Sequence, residues 1–209
     1  MARSIKTARG IAPTCKMLTD DAEKLFRKCT PKVWLVTSAH DGRAGGLVAA
    51  FVMKASLVKE LPRVAIGIAK HHHTWQLIDR SRAFALHLLS DENVELAARF
   101  GLQTGHATDK FRGLEYETGQ TGSPIINNVA GWLDCRVEAE LDIGDRTVFV
   151  GEVLAAQASP KQALQTDRFM ERLAPAEAKA LADAVERDSA VDAAAIRAWR
   201  GRAAAQRAK

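Results

Sequence analysis

The residues best suited to chemistry form one run, from Lys70 to Trp75, with the sequence Lys-His-His-His-Thr-Trp. The run lies between a predicted strand and the start of a predicted helix. Helix N-termini present free N–H groups and the positive end of the helix dipole, so they bind phosphate well. The lysine, the imidazoles and the threonine hydroxyl add charge and hydrogen-bond donors. The run therefore favours a phosphate contact.

Two other interpretations of these histidines stay open. They are surface or structural side chains, or they bind a metal ion or haem, since histidine is a common ligand. Consecutive residues on an extended strand alternate faces, so three adjacent histidines do not easily close on one ion. No acid or cysteine nearby in the sequence completes a ligand set. These two observations count against a metal, and the sequence predicts none.

Two further segments are suited to contact with a flat ligand. The run from Gly45 to Phe51 is rich in glycine and alanine, which let a ligand approach a strand closely. From composition alone, ordinary packing of a sheet explains this run more simply. Lys110 and Phe111 follow a predicted helix in a glycine-rich loop, where an aromatic ring beside a lysine is placed to cover a ring system. Alone, that pair is a weak signal.

Strands dominate the elements that must position these residues. A hairpin is predicted around the turn His40-Asp41-Gly42. Residues Leu133 to Leu141 alternate with acids and bases, which predicts a half-buried strand with every second side chain on one face. No GxGxxG follows a strand, so a dinucleotide-binding fold is not expected. Strands are predicted at Val33–Thr37, Gly46–Met53, Arg63–Ala69, Ala83–Leu89, Trp132–Leu141 and Arg146–Ala156, and short helices at Thr74–Arg80, at Asp91–Phe100 with Ser90 as cap, and after Thr19 as cap.

We divide the chain into a helical lead-in at residues 1–30, a strand-rich domain at residues 31–158 and a helical C-terminal arm at residues 159–209. The antiparallel strands of residues 31–158 suggest a barrel or a sandwich with helical caps. The composition shifts at Ser159-Pro160 to an alanine-rich pattern with helical periodicity. Two helices are predicted in the arm, one starting at Pro175 and one from about Ser189 to Arg202. Their apolar side chains need cover, so we expect the arm to pack on the strand-rich domain of its own chain or on a partner subunit.

Composition narrows the class of protein. The chain has 209 residues, a net charge of +5 and 47% apolar residues, typical of a globular domain. Its three cysteines show no CxxC pair, which favours a reducing compartment. We see no signal region and no apolar run near the roughly 20 residues of a membrane helix, so a cytoplasmic location is expected. Basic residues are interspersed with acids, so no nucleic-acid partner is expected.

Eight short motifs, taken in order, resemble the flavin reductase-like domain, a family of FMN-binding split barrels. The resemblance covers roughly residues 30 to 157 and leaves the arm outside. The motifs are a Gly-x-x-x-Ala run followed by Ser56-Leu57, Pro62 before a strand, Lys-x-x-His-Thr-Trp, Phe84 to Leu89, Asp109-Lys110-Phe111, Thr121 to Pro124, Trp132 to Cys135, and Gly144 to Val153.

The resemblance implies a mainly β fold, an antiparallel, Greek-key-like split β-barrel with short helices and a helical C-terminal arm. It implies a homodimer that binds FMN near its interface, oxidises NADH or NADPH, and passes electrons to an acceptor protein or monooxygenase component. By position, the resemblance implies that the isoalloxazine is lined by Val48, Ala49, Ala50 and Phe51. It implies that the phosphate is held by Lys70, His72, His73 and Thr74. It also implies that Lys110 and Phe111 lie over the flavin from a mobile loop, and that Arg146 stands where many members carry a histidine near the hydride-transfer face.

Two departures from the family pattern bear on the activity. Members usually carry Thr-Ala-Asn/Ser-Ser where this chain has Val48 to Phe51, and Arg146 replaces a histidine. Binding of flavin by backbone groups survives both changes, whereas fast turnover with a nicotinamide is less expected. The alternatives are an electron-transfer flavoprotein that holds FMN permanently and is reduced by a protein partner, and a non-catalytic flavin- or haem-binding protein. No acid–base pair is expected in any of these.

Overall fold

The computed structural model describes residues 15–26 and 28–207. The chain divides into two compact units, residues 1–30 and residues 31–209. Residues 1–14, in which the sequence predicts no signal region, lie outside the described residues. No described helix is long and apolar enough to cross a membrane.

Helix α1, Cys15–Phe26, belongs to the first unit. Thr19, which the capping pattern predicts as its N-cap, lies inside α1. That predicted helix start is therefore wrong: the helix already includes Cys15, one turn before the threonine.

The second unit is built around β-strands. In chain order they are β1 (Trp34–His40), β2 (Arg43–Ala49), β3 (Val52–Lys54), β4 (Arg63–Ala69), β5 (Ala83–Leu88), β6 (Glu117–Thr118), β7 (Pro124–Ile125), β8 (Gly131–Asp142) and β9 (Arg146–Ala158). Seven of them form one antiparallel sheet in the order β2-β1-β5-β8-β9-β4-β3, and β6 and β7 form a separate pair.

The two edge strands of the large sheet, β2 and β3, follow each other in the chain and are separated by Ala50 and Phe51. Two residues cannot cross a seven-stranded sheet, because neighbouring strands lie about 4.8 Å apart. The sheet must therefore curl until its edges approach each other. The main-chain N–H of Gly67 in β4 donates to the carbonyl of Phe51 at 3.0 Å, which extends the β3–β4 pairing by one residue into the link. The predicted antiparallel split barrel is confirmed.

The β1–β2 hairpin forms where the turn pattern predicts it. His40 pairs with Arg43, so the loop has two residues, Asp41 and Gly42. Both have positive φ angles, 48° and 73°. This is the backbone of a type I′ turn, whose twist matches that of the flanking strands and which Asp-Gly adopts readily.

The prediction that side chains along β8 alternate strictly between the two faces is wrong. The register against β9 shifts between Asp134 and Cys135 and again between Val137 and Ala139. These bulges turn the strand, so the adjacent side chains of Asp134 and Cys135 are both buried. Leu141, predicted on the inner face, is 62% exposed.

Four helices belong to the second unit, α2 (His73–Ser81), α3 (Val94–Leu102), α4 (Thr166–Arg172) and α5 (Pro175–Arg207), and a 3₁₀ turn at Asp91–Asn93 leads into α3. The two predicted arm helices are one continuous helix, α5, so that prediction is wrong. Residues 176–200 contain neither proline nor glycine and are rich in alanine, the strongest helix former. The serine at 189 therefore does not begin a new helix.

The core has two parts, and the arm supplies some of one. Leu164, Phe169 and Leu173 are buried with residues of β1, α3 and the segment after β5. The N–H of Leu164 donates to the carbonyl of Leu89 at 2.8 Å, and its carbonyl accepts from Val33 at 3.0 Å. The first part of the arm is thus built into the barrel, while α5 packs on the outside through Ala178 and Leu181.

His87 in β5 holds the loop before β8 against the sheet. Its ring is fully buried; Nδ1 lies 3.1 Å from the carbonyl of Leu35, and Nε2 accepts from the N–H of Ile126 at 3.0 Å. Nδ1 must therefore carry the proton of a neutral imidazole. Burial lowers the pKa of His87 from 6.5 to about 4.

This pKa predicts acid sensitivity. Between pH 6.5 and about 4, the unfolded chain binds a proton at His87 that the folded chain does not, so stability falls as the pH falls through this window. Each pKa unit corresponds to about 1.4 kcal/mol, so the loss from this residue should reach about 3 kcal/mol. Urea unfolding across the window measures it, with His87→Gln as the non-titrating control. An unchanged pH dependence in the variant would contradict the prediction.

Candidate functional site

A cavity of about 540 Å³ lies between β2, the loop before α2, the end of α3 and the middle of α5. This volume is within the range of roughly 300–1,000 Å³ typical of small-molecule sites. Its walls include Gly46, Val48, His72, Thr74, Lys110 and Asp188. The cavity therefore unites residues from all three segments that the sequence singled out, and adds residues from α5.

The phosphate-binding features meet at the start of α2. His72 is the N-cap of this helix and makes no side-chain capping bond, so the N–H groups of His73 and Thr74 stay available, while that of Trp75 donates to the His72 carbonyl at 3.1 Å. Thr74 is buried there and, with His73, lines the cavity. Lys70 does not join them: its ammonium pairs with Asp142 at 2.7 Å, at the turn between β8 and β9.

The three histidines point to two different places. The rings of His71 and His72 lie 4.2 Å apart, and His73 faces His106 at 5.4 Å. The chain turns at His71 and His72 instead of running as a strand, so the alternation assumed from the sequence does not hold. Burial lowers the pKa of His72 to about 4, and burial also lowers the pKa of His73. These two rings are therefore mostly neutral hydrogen-bonding groups near pH 7.

Two acids on α5 reach the same loop. Asp188 Oδ1 lies 3.3 Å from His71 Nε2, and Asp188 Oδ2 lies 3.9 Å from His72 Nε2. Asp192, one helical turn further on, has Oδ1 3.4 Å from His71 Nδ1, and burial raises the pKa of this carboxyl. The expectation that no acid accompanies the histidines is therefore wrong. The acids are distant in sequence and close in space.

Lys110 is fixed inside the cavity wall. Its Nζ donates to the carbonyls of Gly46 at 3.0 Å and Phe100 at 2.9 Å, and burial lowers its pKa to about 8. An ammonium has three N–H donors, so one remains for a ligand. Phe111, expected over the ligand with Lys110, instead packs edge to face against Phe100 and Tyr116, each at 5.2 Å between ring centres.

The remaining predicted residues form a second cluster at the link between β2 and β3. The Arg146 guanidinium lies 5.0 Å from the centre of the Phe51 ring and forms ion pairs with Asp145 at 2.5 Å and Asp192 at 2.6 Å. Ala50 is exposed and Ala49 is buried. Of the stretch 48–51, Val48 reaches the cavity wall, and the structure does not bring the rest or Arg146 there.

Sequence reasoning missed the wall that α5 contributes. Leu181, Val185, Arg187 and Asp188 line the cavity from this helix. A signal existed in the spacing of Asp188 and Asp192, which places both acids on one helical face. Nothing in the sequence says which surface that face meets.

The donor set fits a phosphate-bearing flavin in most respects. An uncapped helix start, the Thr74 hydroxyl, neutral imidazoles and the spare N–H of Lys110 all favour an anion with several oxygens. Leu47, Val48 and Leu181 supply apolar walls for a ring system. The Asp188 carboxylate is the feature of this wall that opposes a phosphate.

Comparison with known proteins defines the class. Residues 26–174 match the flavin reductase like domain, so the chain belongs to this family. It is 33% identical over 134 residues to a ferric-chelate reductase (NAD(P)H) of Archaeoglobus fulgidus, a match that covers 63% of this chain and 78% of that protein. It is 31% identical over 128 residues to the reductase subunit HsaB of a flavin-dependent monooxygenase of Mycobacterium tuberculosis, covering 61% and 66%.

A solved structure supports the same assignment. The nitrilotriacetate monooxygenase component B of Mycobacterium thermoresistibile superposes with a TM-score of 0.61 at 26% identity, over 70% of this chain and 79% of that one. The family match ends at residue 174, and α5 begins at Pro175. The helix that covers the cavity therefore lies outside the family match.

The ion pair between Asp192 and Arg146 predicts how α5 is held. Asp192→Asn removes a charge-assisted contact between partly buried groups, which is stronger than a neutral one. We expect amide hydrogen exchange to speed up in the middle of α5 and to stay unchanged in β5. The matched control is Asp183→Asn, whose carboxylate pairs with Lys179 on the same helix. Equal exchange rates in the two variants would show that Asp192 does not anchor the helix.

Proposed function

We propose that this protein is an NAD(P)H-dependent flavin reductase that binds FMN in the cavity beneath α5. The observation that carries the proposal is the uncapped start of α2 facing a 540 Å³ cavity beside the buried Lys110 ammonium. The relatives support the reaction, since one carries NAD(P)H in its name and another is the reductase subunit of a flavin-dependent monooxygenase.

The proposed roles follow from where each group lies. Thr74, His73 and the first N–H groups of α2 bind the phosphate. Val48 and the backbone of β2 carry the ring system, and Lys110 offers its spare N–H to an electronegative edge. Bound flavin supplies the redox chemistry, accepting a hydride from a nicotinamide and passing electrons on. The protein binds and orients the ring and keeps water from it, with α5 as cover.

A second candidate is an electron-transfer flavoprotein that keeps its FMN. Two observations favour it: α5 covers the cavity, which slows exchange of a bound ligand, and Val48 to Phe51 lack the hydroxyls that family members usually carry. In that case a protein partner would reduce the flavin.

The test is a flavin titration followed by reduction. FMN fluorescence should be altered on binding, and NADH or NADPH should bleach the visible absorption of the bound flavin without air. His73→Ala combined with Thr74→Ala should weaken FMN binding by about tenfold or more, because a charge-assisted phosphate contact contributes roughly 1.5–3 kcal/mol.

The control for this titration is Thr118→Ala, at an exposed position of β6 outside the cavity. Equal FMN affinity in the double variant and the control would refute the phosphate assignment. Tight FMN binding with no bleaching by either nicotinamide would favour the electron-transfer candidate.

The proposal includes a homodimer, a monooxygenase or other electron-acceptor protein as partner, and a cytoplasmic location. Cys29 and Cys135 carry free thiols, which agrees with a reducing compartment.

The support for the dimer is an exposed apolar surface. Strand β3 is a sheet edge, and the stretch from Phe51 to Leu61 exposes several large apolar side chains, which is unusual unless another surface covers them. They are Phe51, Met53, Leu57, Val58 and Leu61.

The proposed dimer predicts that a charge at one exposed leucine weakens association. Leu57 is 91% exposed in the structure, so Leu57→Lys should leave the fold intact and shift the protein toward monomer in light scattering, because a buried charge opposes association. Leu141→Lys, at an exposed position of β8, serves as control. A wild-type monomer that binds FMN tightly would contradict the dimer.

A further inference from the structure

The loop before α2 and the middle of α5 bring three metal-ligating side chains together. The ligand atoms of His71, His72 and Asp188 all lie within 4.8 Å of one another. The two rings share one side of the turn, with centres 4.2 Å apart, and α5 presents Asp188 opposite them. Each residue is partly buried, so the cluster lies at the rim of the cavity and can be reached from solvent.

The cluster does not satisfy its own polar atoms. His71 Nε2 is buried and has no hydrogen-bond partner, although Asp188 Oδ1 is 3.3 Å away, so the two atoms are not aligned for a bond. Asp192 Oδ1 is also buried and without a partner. Buried polar atoms are nearly always paired, so each such exception calls for an explanation. An ion between His71 Nε2 and the Asp188 carboxylate would supply the missing partner.

We propose that His71, His72 and Asp188 bind one divalent transition-metal ion of the zinc type. Two imidazoles and a carboxylate suit such an ion, and three protein ligands leave a position for water. With metal–ligand distances of about 2.0–2.1 Å, tetrahedral ligands lie about 3.3 Å apart. His71 Nε2 lies 3.3 Å from Asp188 Oδ1, which meets this value. His72 Nε2 lies 3.9 Å from the other carboxylate oxygen, Oδ2, so the His72 ring or the carboxylate must rotate for one ion to bind all three side chains.

The surroundings of His71 have the form of a second coordination layer. Its other nitrogen, Nδ1, lies 3.4 Å from Asp192 Oδ1, and Arg146 Nη2 holds Asp192 Oδ2 at 2.6 Å. With Nε2 bound to the ion, the ring proton must lie on Nδ1, where it can donate to Asp192 Oδ1, an atom that has no hydrogen-bond partner without the ion. A carboxylate behind a metal-binding histidine fixes the tautomer and orients the ring. Asp192 is therefore a positioning residue for the ion.

A bound ion would join the barrel to α5. Two ligands come from the loop and the third from the helix, so metal binding and closure of α5 over the cavity are coupled. The ion would also offset the charge of Asp188, the one acid on the cavity wall beside the start of α2. The proposal does not require that the cavity bind flavin.

The test is Zn²⁺ titration by calorimetry on the full chain without an affinity tag, treated with chelator and free of flavin. We expect one Zn²⁺ per chain. Asp188→Asn and His71→Ala should each weaken binding at least tenfold, and Asp192→Asn should weaken it by about 10–100-fold, the usual effect of losing such a support. The visible spectrum of Co²⁺ in the same site provides a second probe.

Matched controls separate this site from general surface binding. Asp183→Asn removes an acid from the same helix, and His40→Ala removes a histidine at the β1–β2 hairpin, and both should bind Zn²⁺ as the wild type does. Zn²⁺ should also slow hydrogen exchange in the middle of α5. Absence of one-to-one binding, or equal affinity in Asp188→Asn and Asp183→Asn, would overturn the proposal whether or not the protein proves to reduce flavin.

Discussion

The short link of Ala50 and Phe51 is the constraint on which the rest of the structure depends. It joins the two edge strands of a seven-stranded sheet, so the sheet can exist only if it curls. The bond from Gly67 to Phe51 extends the β3–β4 pairing into the link, so β4 lies beside the link. The loop that leaves β4 then reaches the same end of the barrel as β2. The cavity lies between these two elements.

The arm completes this arrangement in two different ways. Its first part adds Leu164 and Phe169 to the core and pairs with the main chain beside β1 and β5, so it is as fixed as a strand. Its second part, α5, is anchored at separate points along its length. Leu181 packs near α3, and Trp199 contacts Gly144 so closely that a side chain at the glycine would clash. The family barrel therefore supplies the cavity, and a helix beyond the family match supplies its cover.

Sequence reasoning succeeded where the signal was local. The Asp-Gly turn, the strand Arg63–Ala69 and the helix after the histidines were all predictable, because turn chemistry and periodicity act over a few residues. It failed where neighbours decide the outcome. Bulges set by pairing with β9 broke the alternation of β8, and Asp188 joins His71 across more than a hundred residues of sequence. The family resemblance singled out segments that line the cavity but could not describe α5, which lies outside it.

The charges around the loop show why the cover matters for chemistry. Burial keeps His72 and His73 mostly neutral near pH 7, so the loop relies on helix N–H groups and Lys110 to attract an anion. With α5 in place, Asp188 and Asp192 face the same loop and oppose that attraction unless a cation balances them. Arg146 neutralises Asp192 through a 2.6 Å ion pair. Within the described residues, the ion-pair partners of Asp188 are two imidazoles, those of His71 and His72. An anion bound at the start of α2 would therefore meet the carboxylate of Asp188 in the same cavity, and a cation at Asp188 would remove that repulsion.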